Sequence, residues 1–234
     1  MPTINASKYG YMINSADGSG AFATVRNGTS ANGSVVNQST TTSHFTTAAN
    51  LGFSSKGDSA TLRRTWWAFN VSSYASGYTI TDLQLQFDPT TLTSTNFPIA
   101  VIKSTAQGNA NANLTAADWD ELDFNTLYSD NSSTNYWPDS NSVSTIDLNS
   151  TAIAAFSTSY LKICIQWYFD YTGTGSLVTF NGAGYVNYGY TPRITFSAAA
   201  SAYSKKVNGI TASSGQDLNN VSYSDISKVN GVAG

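Results

Sequence analysis

From Arg63 to Phe87 the chain reads RRTWWAFNVSSYASGYTITDLQLQF. Thr65, Trp67, Phe69 and Val71 fall at alternate positions, and Leu83, Leu85 and Phe87 do the same with Gln84 and Gln86 between them. Such alternation is the period of a strand with one buried face. Ser72, Ser73, Ser76 and Gly77 favour turns, so the chain is expected to leave one strand and return in another as a hairpin-like unit. Both strands must bury an apolar face, and the remaining sequence has to supply the cover.

The same period recurs along the chain. Tyr9, Tyr11 and Ile13 alternate up to a cluster of turn formers at residues 15–20. Phe22 to Val25 reads as a short strand, Val35 and Val36 seed another, and Leu51 to Phe53 and Ile99 to Ile102 add two more. The Ser/Thr run around His44 reads as an edge strand or an ordered loop. Leu161, Ile163, Ile165, Trp167 and Phe169 alternate without a miss, which predicts the longest strand, at the centre of a sheet. Val178 with Phe180 and Arg193 to Phe196 complete the series.

Two short helices interrupt it. Thr115 is an N-cap with Asp118 at N3, flanked by the apolar pair Leu114 and Trp119, and Asn149 or Ser150 caps a turn running to Phe156. About eight to ten short strands with polar links predict a two-sheet sandwich rather than a barrel or an α/β fold.

The apolar alternation ends near Phe196, and small residues follow to Ser204. Beyond them Lys206-Val207-Asn208-Gly209-Ile210 is repeated as Lys228-Val229-Asn230-Gly231-Val232. Asn-Gly is a strong turn pair, so each copy predicts a tight turn between β-branched residues. The sequence thus divides into residues 1–198, the sandwich, and 199–234, an extension whose Val207, Asn208, Gly209, Val229, Asn230 and Gly231 are the expected anchoring residues. A frayed tail is the alternative.

Only 11% of residues are charged, against roughly 25% in ordinary globular proteins. The surface must be covered by uncharged hydroxyls and amides. Eleven basic against fourteen acidic residues predict no nucleic-acid partner and no anionic membrane partner. Cys164 is the single cysteine, so no internal disulfide forms. The opening MPTINASKYGYM has neither a basic nor an apolar leader segment. With this composition the expectation is a chain released by lysis, as a virus particle component is; a chain trimmed of its leader is the alternative.

One histidine in a Ser/Thr run does not make a Ser-His-Asp or Cys-His site, and one cysteine with one histidine cannot close a zinc shell. Asp118, Asp120, Glu121 and Asp123 leave calcium open, although their spacing matches no calcium loop and exposed caps are the simpler reading. No enzyme and no cofactor are expected. Sugar binding would use aromatic faces beside amides and hydroxyls, for which Trp66, Tyr136, Trp137 and Tyr188 are the candidates. For Trp66, which alternates with Trp67, the competing reading is a second buried face.

The pieces RRTWWAFNVS, ITDLQLQF, LTAADWDELDF, STIDLNSTAIAAF, YLKICIQWYFD and YTPRITFS, over about residues 20–198, resemble the DNRLRE-type or carbohydrate-binding-like jelly-roll domains of bacterial surface and tailed-phage proteins. The KVNG copies resemble C-terminal tails of phage virion proteins. The resemblance implies an all-β jelly-roll sandwich with one or two short helices and a C-terminal appendage. It further implies a capsid-decoration or fibre role on the virion surface, with other virion proteins and identical copies as partners. Glycan adhesion is the alternative, and no catalytic set comes with the resemblance.

Overall fold

The computed structural model describes residues 1–18, 20–39, 51–55, 59–91, 98–107, 110–130, 143–157, 159–174, 181–186 and 190–200, with the pairs 206–207, 210–211, 228–229 and 232–233. The chain folds as an all-β sandwich of jelly-roll type. Twelve strands join in one curled antiparallel sheet: β1 (Thr3–Asp17), β2 (Val35–Ser39), β3 (Leu51–Ser55), β4 (Ser59–Asn70), β5 (Tyr78–Phe87), β6 (Pro89–Thr91), β7 (Ile99–Ser104), β8 (Leu122–Leu127), β9 (Ser144–Asp147), β10 (Tyr160–Trp167), β11 (Asn181–Val186) and β12 (Arg193–Ala200).

Two layers arise because β1 serves both. Its residues Thr3 to Asn5 pair with β12, which continues through β5 to β9. From Ala6 onward β1 pairs with β4, which continues through β10 and β7 to β8. The register shifts between Ala6 and Lys8, where the strand passes from one layer to the other. A bulge is the usual way for one strand to turn such a corner.

Between the layers, Trp67, Phe69, Leu161, Ile163 and Ile165 meet Leu83, Leu85, Phe87, Ile194 and Phe196, all essentially without exposure. The Trp67 and Phe87 rings lie 5.3 Å apart. The Arg63–Phe87 stretch therefore supplies both walls of the core, but β4 and β5 do not pair; β1 and β12 separate them in the sheet order. The hairpin expectation is corrected to an arch. A hairpin would put both apolar faces on one side of a sheet, whereas a chain that crosses the sandwich sets them opposite each other. Val71, fully buried with its N–H on Ser159 O, carries the chain over the top.

Other departures have local causes. Phe22 to Val25 lies in a helix, α1 (Ala21–Arg26), not a strand; Gly20 enters it at φ 81°, and Ala21, Phe22 and Val25 share the buried face. Four residues are too few for periodicity to tell the two apart. At 15 residues β1 is the longest strand, not the 8-residue β10. Phe169 leaves the alternation because a helix, α3 (Tyr168–Thr172), starts after Trp167 and ends at Gly173, φ 74°. Both faces of β10 are buried, as a central strand requires.

The run expected as linker from Ser197 is still strand to Ala200, paired with β5 down to Tyr78. A register shift there, with Asp82 at φ 50°, resets the alternation so that Ile80 and Leu83 both point inward. The expected helix starts hold. Thr115 and Asp118 form a capping box on the 3₁₀ turn Ala116–Asp120, and Asn149 caps a helix, α2 (Ser150–Ala154), by accepting from Thr151 N and Ala152 N.

Tyr128, beside α2, is 3% exposed, and burial followed by the charge of Asp123 pushes its phenol up to about 12. Below the ordinary value near 10, folded and unfolded chains both hold the proton, so stability does not change. Between 10 and about 12 only the unfolded state releases it, and stability falls by about 1.4 kcal/mol per pH unit. Urea unfolding of Tyr128→Phe should show a flatter alkaline slope than the parent; equal slopes would refute this.

Candidate functional site

The outer face of β4 and β10 carries Arg64, Trp66 and Ala68 beside Lys162, Cys164 and Gln166. In a chain so poor in charge, a solvated face would be the obvious place for such residues. Instead Arg64, Cys164 and Gln166 are unexposed, Trp66 is 4% exposed and Lys162 9%. This face is a second core, closed at one end by helices and at the other by a loop.

At the helical end Arg64 is the centre. Its Nε and Nη2 donate to the two carboxylate oxygens of Asp170 at 2.8 and 2.9 Å, and its Nη1 donates to Trp119 O at 2.8 Å. The guanidinium lies 4.0 Å from the centre of the Trp119 ring, whose own N–H donates to Val25 O. Arg26, in the last turn of α1, donates to Asp170 O and Tyr171 O of α3 and stacks over Phe124. One buried bidentate pair thus joins α1, the 116–120 turn and α3 to the sheet, the geometry in which Arg outperforms Lys. Cys164 lies behind it, and burial pushes its thiol well above the usual range, so it is a packing residue without thiolate reactivity.

At the other end the chain from 105–107 and 110–114 straps across Trp66. Lys162 Nζ donates to Ala106 O at 2.8 Å and Ala110 O at 2.6 Å. Burial lowers the affinity of this ammonium for its proton, while Asp118 acts in the opposite sense. Asn37 holds both backbone groups of Leu114, Lys8 reaches Asn113, and Ser7, in the β1 bulge, reaches Asn111. The cleft beneath encloses about 30 Å³ and is lined by Trp66, Ala68, Ala106, Ala112, Leu114 and Lys162. That is room for a water-sized guest, not for a sugar ring.

Gly10 makes this closure feasible. It sits in β1 opposite Trp66 and Asn37, and a Cβ there would overlap Val36 O and come 3.2 Å from Leu114 Cδ1. Gly10→Ala should cost about 1–3 kcal/mol in denaturant unfolding, since the obstacle is backbone. A change under 0.5 kcal/mol would show that the Val36 carbonyl of β2 does not lie this close to Gly10.

Three of the four acids left open for calcium are taken up by local partners. Asp118 accepts from Thr115 and Gln107, Glu121 from Thr105 Oγ1, and Asp123 from Asn125 N and Thr126 Oγ1. The Thr126 bond, with the Asn125 amide and Lys103 assisting, holds Asp123 below its usual carboxylate range despite partial burial. Among the described residues no three His, Cys, Asp or Glu side chains converge on a metal position.

Of the four residues expected to stack on sugars, Trp66 is covered by the strap, which is the second-buried-face reading; Tyr136, Trp137 and Tyr188 lie outside the described residues, as does His44. No family model and no curated protein matches the chain.

In the extension, Lys206-Val207 pairs antiparallel with Ile210-Thr211, and Lys228-Val229 with Val232-Ala233. Asn208, Gly209, Asn230 and Gly231, between the paired residues, lie outside the described ones. What the sequence reading missed is the Arg64, Asp170 and Lys162 framework. The available signal was charge and amide groups inside strands otherwise patterned for burial.

Proposed function

We propose that the chain is a structural protein of a tailed-phage particle, a jelly-roll unit displayed on the capsid or tail surface and held there by its C-terminal extension. The observation that carries this reading is the duplicated Lys-Val-Asn-Gly hairpin, each copy a two-stranded unit outside the main sheet. Ladders of two residues are too small to be stable alone in water, so such units gain stability by docking. The sandwich supports the same reading, because its buried charges are consumed in fastening helices and loop to the sheet. Wet contacts through uncharged hydroxyls and amides would join it to identical neighbours and to other virion proteins. Gold-labelled antibodies against the sandwich should decorate intact particles in electron micrographs; label confined to lysate debris would overturn the proposal.

One observation favours glycan adhesion as a second reading. Tyr78 is 44% exposed, its ring 5.1 Å from Tyr74, which is itself wedged edge-on against Phe196 at 4.9 Å. This is a fixed aromatic ledge beside Ser72, Ser73, Ser76 and Thr79, and it would take the stacking role expected of the covered Trp66. A glycan-array signal that Tyr78→Ala removes supports it, and a signal indifferent to Tyr78→Ala removes the ledge from the account.

A further inference from the structure

The extension presents one antiparallel pair of two-residue strands twice. In the first copy Lys206 faces Thr211 and Val207 faces Ile210; in the second Lys228 faces Ala233 and Val229 faces Val232. The registers are identical, the four residues KVNG are identical, and among the described residues each pair forms its own two-stranded sheet without a ladder to the twelve-stranded one. A single anchor would need only one such unit. Two units of the same shape ask for two receptor sites of the same shape, and a symmetric assembly of identical subunits offers these without a second site having to arise.

We infer that the two copies engage equivalent sites on neighbouring subunits of one multimeric protein partner, so that attachment is bivalent. This rests on the anchoring reading above. Geometry bounds the partner: the 17 steps from Thr211 to Lys228 (228 − 211) span at most about 60 Å when fully extended, so the two sites lie within that distance. Linkage within one chain turns the second docking into an intramolecular event, and the gain over a single copy is about 10²–10⁴-fold in retention.

The test uses the full chain on gradient-purified particles, comparing the parent with Val207→Asp, Val229→Asp and the double variant. An aspartate in a two-residue ladder opposes strand formation and leaves the sandwich unchanged, which thermal unfolding of each variant checks. The readout is the fraction retained on particles after dilution and a second gradient. Bivalent docking predicts that both single variants lose retention about equally, by about 10²–10⁴-fold, and that the double variant is lost altogether. If one single variant matches the double and the other matches the parent, or if both singles match the parent while the double is lost, bivalency is wrong and single-copy anchoring stands. If the double variant is retained like the parent, the anchoring reading itself fails.

Discussion

Replacing Asp170 by alanine is expected to destabilise the fold by about 3–5 kcal/mol, because it leaves the Arg64 guanidinium buried without its counter-charge. Arg64 is unexposed and Asp170 is 1% exposed, so water cannot take the place of the carboxylate. Trp119 O and Arg26 O accept from Arg64 as well, but neither neutralises it. The paired replacement Arg64→Met with Asp170→Leu separates the cost of a broken pair from the worth of an intact one. A buried ion pair exchanged for apolar groups of similar size is often close to neutral, so the double variant should return to within about 2 kcal/mol of the parent. Urea unfolding followed by tryptophan fluorescence measures both. A loss under about 1 kcal/mol for Asp170→Ala would mean that the pair does not hold the helical end together.

Lys162→Met should cost about 2–6 kcal/mol through a different failure. The stem still covers Trp66, but the carbonyls of Ala106 and Ala110 lose their donor in a partly dry place, at about 1–3 kcal/mol each. The damage should stay local: hydrogen exchange at Ala110 N–H, bonded to Gln107 O, should accelerate, while the Trp119 indole N–H on Val25 O keeps its protection. Equal protection of Ala110 in parent and variant would show that the strap is held by Asn37, Lys8 and Ser7 without the ammonium.

The inner core was legible because alternation reports one buried face per strand. Trp67 and Phe69 on one side, and Leu83 to Phe87 on the other, all lie where that pattern puts them. Alternation does not report which strands pair. It therefore made a hairpin of β4 and β5, when an arch satisfies the same pattern with the faces opposed. The Thr115 and Asn149 caps were legible because capping depends on a few adjacent residues.

The second core was legible only as the buried-face alternative for Trp66; the charged and amide residues around it were not. Arg64, Lys162 and Gln166 occupy positions that a one-faced strand gives to solvent, and what buries them comes from residues as distant in sequence as Arg26, Trp119 and Asp170. The partners of Arg64 lie 38, 55 and 106 residues away, beyond any local pattern. For the extension, the repeat itself was the signal, and the two matching ladders are its structural counterpart.

The most direct test of the particle reading is peptide mass spectrometry of gradient-purified particles, with peptide intensity from this chain scaled to the most abundant shell protein. A ratio that is high and constant from one preparation to the next is the predicted result. Absence from particles, with the chain recovered in the soluble medium, would contradict it.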